Sequence, residues 1–129
     1  MIRDQLIDLV RHGEVVQATD LSDLDLTGAD LSGGIFDRVR FPARLAGAKI
    51  KDATINECDL SSCDLSGSDL HMTTLFRCKL DRVRFASARL ICATFMECPA
   101  PGSIFAGCEG QLATWAKCDL AGASFDGAN

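Results

Sequence analysis

The feature that most constrains the fold is a large apolar residue at every fifth position. These residues, which we call centres, run from Leu21 to Phe125, with one residue missing between Phe41 and Leu45, and only Ala100 and Gly110 are not large apolar residues. A small residue, usually Ala, Cys or Ser, stands two positions before most centres. A period of five fits neither a helix nor simple strand alternation. Because residues two apart share one face of a strand, the pattern predicts short strands separated by turns, with the centre and the small residue inside.

A second period of twenty residues sets the number of units in each turn of the coil. Four cysteines and four threonines repeat at this interval: Cys58, Cys78, Cys98, Cys118 and Thr54, Thr74, Thr94, Thr114. A repeat of this kind indicates a solenoid. Four five-residue units in each turn predict a quadrilateral coil, with neighbouring coils about 4.8 Å apart.

Charged residues alternate in sign from coil to coil when one residue is taken as missing between Phe41 and Leu45. The four columns are Asp25, Arg44, Asp64, Arg84; Asp30, Lys49, Asp69, Arg89, Glu109; Asp20, Arg40, Asp59, Lys79; and Arg38, Glu57, Arg77, Glu97, Lys117. Facing opposite charges stabilise a sheet, although exposed pairs contribute little. Their main effect is on register, because a slip of one unit would disrupt every column.

Three units read ADLSG at residues 29–33, CDLSG at 63–67 and CDLAG at 118–122. They resemble the A-D-L-X-X signature of the pentapeptide-repeat proteins, from about residue 20 to residue 128. The resemblance implies right-handed winding and, commonly, a bacterial source. The predicted fold is an all-β solenoid, a right-handed quadrilateral parallel β-helix of about five coils over residues 20–129. Departures from the signature at 41–45 and 98–102 predict local irregularity at a corner.

Residues 1–19 are predicted to form a short capping helix and lead-in. Ile2, Leu6 and Val10 have helical spacing, and the ends of solenoids need covers. No similar segment follows Phe125, so the last coil is expected to present an open strand edge. That edge is one place where a second copy of the chain is expected to pair.

Charge and hydropathy exclude several classes of protein. No apolar stretch reaches the roughly 18 residues of a membrane span. Asp4 and Asp8 interrupt the N-terminal apolar pattern, which argues against a secretory signal and for a cytoplasmic protein with reduced cysteines. The net charge of −5 lies within residues 1–30, and the remainder is balanced. Direct nucleic-acid binding and membrane binding are therefore not expected.

The sequence offers no evident catalytic, metal or cofactor site. A tetrahedral metal needs four sulfurs about 2.3 Å from one ion, whereas the column Cys58, Cys78, Cys98, Cys118 is spread over successive coils. These thiols are predicted to be small buried apolar groups, and Cys92 is predicted to face outward. Neither His12 nor His71 has a neighbouring nucleophile. We predict that the chain is not an enzyme.

One set of outward positions is apolar. The corner between the His71 side and the threonine side carries His71, Met72, Phe76, Ile91, Cys92, Met96 and Leu112. A contiguous apolar patch usually marks an interaction surface, in which Met and Phe are enriched. The alternative is that Leu112 turns inward to replace Gly110 and the other residues are scattered.

The preferred function is a non-enzymatic protein-binding module that binds, neutralises or scaffolds a bacterial partner protein, for example a toxin, as an immunity protein does. A homodimer would form through the corner patch or through the open C-terminal coil. The family resemblance implies a second function, a DNA mimic that binds type II topoisomerase (gyrase) and confers quinolone resistance. The balanced charge beyond residue 31 argues against a mimic, which needs a continuous acidic stripe.

Overall fold

A computed structural model describes all 129 residues as one short helix followed by a parallel β-solenoid. The helix, α1, spans Arg3–Arg11. The six strands are β1 (Val15–Gln17), β2 (Ile35–Asp37), β3 (Thr54–Asn56), β4 (Thr74–Phe76), β5 (Thr94–Met96) and β6 (Thr114–Ala116). They form one sheet in chain order, so each strand pairs with the strand one coil further on.

The register matches the predicted repeat. Thr54, Thr74 and Thr94 are successive partners, twenty residues apart, whereas Ile35 pairs with Thr54 across the missing residue. The other three sides of the coil carry isolated parallel bridges, and those bridges join the predicted charge columns, such as Asp25 to Arg44. The fold class predicted from the sequence is confirmed.

Only one side of the coil forms strands of three residues, and the outward residues explain why. On that side the middle column is β-branched throughout: Val15, Ile35, Thr54, Thr74, Thr94 and Thr114. Such side chains favour extended backbone. On the other sides an aspartate often occupies the equivalent position, and its carboxylate accepts the N–H two residues on, as in Ser22 N–H to Asp20 (2.9 Å). This Asx turn bends the chain directly after one bridge.

The interior is a single cluster of 33 buried apolar residues. Its composition changes along the rod. The C-terminal coils contain a ladder of rings, in which Phe105 stacks on Phe85 and Phe125 stacks on Phe105, each at 4.8 Å. Phe95 stacks on Trp115 at 4.0 Å. The N-terminal coils are largely aliphatic.

Helix α1 covers the first coil with Leu6 and Val10, both buried. Its first turn is closed by a hydrogen bond from the Ile2 N–H to Gln5 Oε1 (2.9 Å). Strand β1 already pairs with β2, so the regular coil begins before residue 20. No helix in the structure has the length and apolar character needed to cross a membrane.

The two departures from the repeat behave differently. The missing residue shortens the corner at Pro42 and Ala43, after which the next bridge, Asp25 to Arg44, restores the register. Residues 98–102 keep the regular turn, with Ala100 N–H donating to Asp119 O (2.7 Å). The predicted irregularity at 98–102 is therefore wrong, because a proline bonded through its carbonyl fits this column without distortion.

Candidate protein-contact site

The side formed by β1–β6, here called the threonine face, differs in charge from the other three sides. Its middle outward column, from Val15 to Thr114, contains no charged residue. Each other side carries one of the charge columns predicted from the sequence, and the fourth column, from Arg38 to Lys117, directly follows strands β2–β6. The middle of the threonine face is thus a regular, neutral surface along the length of the rod.

One edge of this face, here called the leading corner, consists of the residues two positions before strands β2–β6: Gly33, Asp52, Met72, Cys92 and Leu112. All five have positive φ, between 56° and 74°. Leu112 is 83% exposed and Met72 is 54% exposed. The alternative in which Leu112 turns inward is therefore wrong, since its left-handed backbone directs the side chain into solvent.

Left-handed backbone recurs at the corners of the coil, where thirteen residues other than glycine have positive φ, among them Arg38 and Arg77. L-residues other than Gly lose roughly 1–2 kcal/mol in that conformation. Glycine occupies the corresponding turn on a neighbouring side in five of six coils, whereas Met72 and Leu112 accept the strain while exposing their side chains. The leading corner is therefore distinguished by its large exposed apolar side chains and not by its backbone conformation.

Phe76 and Met96 lie at the opposite edge of the threonine face, not at the corner where the sequence analysis placed them. They are the last residues of β4 and β5 and are register partners. Met96 is 44% exposed, and Phe76 is half-buried beneath the Arg77 guanidinium, 5.0 Å from the ring centroid. The predicted single patch is therefore two apolar edges that flank the threonines. We call the edge formed by Gln17, Asp37, Asn56, Phe76, Met96 and Ala116 the trailing edge.

His71 and Ile91 precede the leading corner by one residue and are half-buried. The Met72 N–H donates to Ile91 O (3.0 Å), and the His71 N–H donates to the Asp69 carboxylate (3.1 Å). The first bond joins successive coils, and the second closes the turn before the corner. The corner is thereby fixed as a column rather than a loose loop.

The charge columns are in register, but few of their members form close ion pairs. The pairs within 4.0 Å across coils are Arg44–Asp25, Arg77–Glu97, Arg89–Asp69 and Arg89–Glu109. The aspartates also accept hydrogen bonds within the turns. Asp25 accepts them from the Thr27 hydroxyl, which has the larger effect, and from the Thr27 N–H, and both lower the pKa of Asp25. The columns therefore fix both register and turn, and leave little uncompensated charge on these sides.

The cysteine column lies inside, as predicted for Cys58, Cys78 and Cys98, whereas Cys118 in the last coil is half-buried. Hydrogen bonds with the thiols of Cys58 and Cys98 raise the pKa of the Cys78 thiol. The same hydrogen bonds lower the pKa of Cys58 and lower the pKa of Cys98 to about 7. Cys98 is fully buried, so reagents do not reach it in the folded protein. No three His, Cys, Asp or Glu side chains converge in a metal-binding arrangement.

A notch that was not predicted from the sequence lies beside the shortened corner. Two open cavities of about 280 and 200 Å³ adjoin there and share Ser22 and Ala43 in their linings. Asp23, Asp25 and Arg44 line the larger one. The missing residue was the signal for it, since removing one residue from a corner leaves space between neighbouring coils.

Comparison with known proteins agrees with this geometry. Residues 43–82 match the family described as Pentapeptide repeats, in eight copies. No curated protein matches the chain. A trypsin-treated form of QnrB1, a plasmid-mediated fluoroquinolone resistance protein, is 27% identical with a TM-score of 0.68; the match covers 90% of this chain and 62% of QnrB1. The chain thus spans about three-fifths of that structure.

Two cyanobacterial structures share the fold at lower identity. HetL, a pentapeptide-repeat protein involved in heterocyst differentiation regulation in Nostoc sp. strain PCC 7120, is 19% identical with a TM-score of 0.58, over 91% of this chain and 57% of HetL. The pentapeptide-repeat protein alr5209 from Nostoc PCC 7120 is 20% identical with a TM-score of 0.51, over 92% and 95% of the two chains. Residues 43–82 thus carry pentapeptide repeats, and the same coil continues on both sides of them.

Proposed function

We propose that the chain is a non-enzymatic module that binds a partner protein through the threonine face and its two apolar edges. The observation that carries this proposal is the leading corner, where Met72 and Leu112 are exposed on left-handed backbone. Large apolar side chains at such positions are expected to stabilise a complex rather than the fold. His71, Ile91, Phe76 and Met96 complete the contact surface.

The proposed setting is the bacterial cytoplasm, and the proposed role is to neutralise or scaffold the partner. A toxin bound by its immunity protein is one such pair. The rod suits this role because its sides are rigid, built from bridges repeated in every coil. Its balanced charge beyond residue 31 favours a protein partner over nucleic acid.

Affinity capture from the native cell tests this proposal. Wild-type chain is compared with a variant carrying Phe76→Ser and Met96→Ser, and with Ile104→Ser as the control. Ile104 is 38% exposed in the middle column of another side, so it matches Met96 in exposure but not in position. We expect the double variant to lose a partner that the control retains, with little change in stability for either.

A competing contact is the last coil, where Phe125 is 43% exposed and Trp115 is half-buried. Removing residues 119–129 distinguishes the two surfaces. If that truncation loses the partner while the double serine variant keeps it, the end of the rod and not the threonine face is the contact site.

A second function, binding to type II topoisomerase as a DNA mimic, is supported by the likeness to QnrB1, a fluoroquinolone resistance protein. The alternating columns Asp25, Arg44, Asp64, Arg84 are unlike the continuous acidic stripe of duplex DNA. A supercoiling assay tests this function. The inhibition of DNA gyrase by ciprofloxacin is measured with and without the chain. Relief of inhibition would support the mimic, and unchanged inhibition at a large excess of chain would exclude it.

A further inference from the structure

We propose that the threonine face is self-complementary and that its partner is a second copy of this chain, packed face to face with the two rods parallel. This inference rests on the proposed function, because it names the partner of the same surface. In the proposed dimer a two-fold axis runs along the rods, between the two faces. Each coil then faces the same coil of the second copy, and the leading corner of one copy faces the trailing edge of the other.

The middle columns decide which side of the rod can pair in this way. Under the two-fold axis every residue of a middle column faces its own equivalent. On the other three sides this would place Asp25 against Asp25, Arg40 against Arg40 and Asp30 against Asp30, and like charges that face each other are destabilising. On the threonine face it places Thr against Thr and Ile35 against Ile35, with no charge in contact.

The two edges complement each other coil by coil. At the level of β4, Met72 lies opposite Phe76 of the second copy, a thioether against a ring, which is a favourable contact. At the level of β5, Cys92 lies opposite Met96, and at β6, Leu112 lies opposite Ala116. The largest exposed side chain of the corner therefore meets the smallest residue of the trailing edge.

The polar coils are complementary as well. At the level of β3, Asp52 lies opposite the Asn56 amide of the second copy, and just outside them Lys51 lies opposite Glu57. All four side chains are at least partly exposed. Lys51 and Glu57 would form one charge pair at each edge of the dimer, which favours this register over a shift by one coil.

Antiparallel rods fit less well. An antiparallel axis through β4 or β5 sets like charges against each other in the column Arg38, Glu57, Arg77, Glu97, Lys117. An axis between β4 and β5 removes that repulsion but sets Leu112 against Asp52. An axis through β5 sets Leu112 against Met72 but retains that repulsion, so only the parallel arrangement gives Leu112 an apolar neighbour without setting like charges against each other.

The size of the face sets the expected affinity. Six strands span about 24 Å at about 4.8 Å per coil, and the five residues from Met72 to Phe76 span at most about 13 Å. Interfaces of this extent fall at or below the low end of specific complexes. We therefore expect a weak, reversible dimer that is visible at concentrations of hundreds of micromolar.

Charges placed in the middle column test the arrangement. Thr74 is exposed on β4 and faces its own equivalent in the parallel dimer. Thr74→Arg and Thr74→Glu are each expected to raise the dimer dissociation constant at least tenfold, while an equimolar mixture of the two restores dimers because Arg then faces Glu. Sedimentation equilibrium measures association, and thermal unfolding verifies that each variant folds. Ile104→Arg, on another side, is the control and is expected to dimerise as wild type.

The outcomes separate this inference from the proposed function. Wild type that stays monomeric at millimolar concentration, or Thr74→Arg that dimerises normally, overturns the inference. If a mixture of Thr74→Arg and Thr94→Glu restores dimers, whereas a mixture of Thr74→Arg and Thr74→Glu does not, the parallel arrangement is overturned. If self-association is absent while the Phe76 and Met96 double variant still abolishes capture of another protein, the proposed function stands and the second copy is not its partner.

Discussion

The N-terminal and C-terminal halves of the rod share one backbone and differ in what they place on it. In the half that contains β1–β3 the interior is mainly aliphatic, and the leading corner carries Gly33 and Asp52. In the half that contains β4–β6 five aromatic rings stack inside, and the corner carries Met72, Cys92 and Leu112. The pairing register is the same in both halves.

This difference shows which positions the fold constrains. The coil needs an apolar centre, a small inward residue and a turn, and both halves provide them. The corner residue needs only to accept a left-handed backbone, for which Gly33 is suited and Leu112 is not. Because polar residues such as Ser62 and Arg82 also occupy left-handed corners, the fold does not require an apolar residue there, which is consistent with the proposed binding surface in the C-terminal half.

The largest effect is expected from removing a ring in the C-terminal interior. Phe95 is fully buried, stacked on Trp115 at 4.0 Å and edge-on to Phe85 at 6.1 Å. Phe95→Ala should lower the free energy of unfolding by about 3–5 kcal/mol, since it leaves a cavity and removes two aromatic contacts. Ile55→Ala, in the same column of the N-terminal half, should cost less. Urea unfolding measures both, and equal losses would show that ring stacking adds no stability to the C-terminal half.

A reciprocal exchange at the leading corner should have smaller effects of opposite sign. Leu112→Gly should raise stability by about 0.5–1 kcal/mol, because relief of the left-handed strain exceeds the entropy that glycine loses on folding. Gly33→Leu should lower it by about 1–2 kcal/mol, although a Cβ at Gly33 meets nothing within 4 Å. Thermal unfolding tests the pair. Destabilisation by Leu112→Gly would mean that Leu112 stabilises the fold by more than its left-handed backbone conformation costs.

Much of the fold was predictable because the repeat acts on every coil alike. The five-residue centres identified the interior, and the period of twenty identified the quadrilateral coil. The bridges confirm three of the four charge columns, and Arg77 forms an ion pair with Glu97 in the fourth. One deletion was placed correctly because Asp25 and Arg44 pair only if a residue is missing. Because the same pattern recurs in every coil, a residue that fits the pattern poorly in one unit does not change the structure predicted from the others.

The site was harder to predict because the outward residues at the two edges differ from coil to coil. Sequence spacing located Met72 and Phe76 outside the core but not the strand between them, so two edges were merged into one corner. Strand length on the threonine face depends on β-branched residues outside the repeat signature. Gly34 was also unexplained by the pattern: a Cβ there would lie 2.5 Å from Phe36 Cε2, so the ring requires glycine at this inward position.

A still smaller effect should distinguish the aspartates of the N-terminal half. Hydrogen bonds from Thr27 lower the pKa of Asp25 from 3.8, so the stabilisation it provides is present above that value and is lost as pH falls through the lower pKa of the folded state. Thr27→Ala should raise the pKa of Asp25 towards 3.8, as followed by NMR of the carboxyl carbon. Ser22→Ala should instead raise the pKa of Asp20 and leave Asp25 unchanged. No change in Asp25 on loss of the Thr27 hydroxyl would contradict the assigned cause.

The smallest effect on stability, and the most direct comparison of the two halves, is expected from thiol labelling. Cys92 lies half-buried at the leading corner, Cys118 is half-buried in the last coil, and Cys58 lies fully inside the N-terminal half. A maleimide at neutral pH should modify Cys92 first without unfolding the rod. Cys118 should follow more slowly, because burial raises its pKa and thereby lowers the thiolate fraction. Cys58 should react only through opening of the coils. Mass spectrometry after proteolysis gives the rates, with Cys92→Ser as the control for the first site. Labelling of Cys58 at the rate of Cys118 would show that the N-terminal coils open as readily as the last one, and that the aliphatic half is no better closed than the aromatic half.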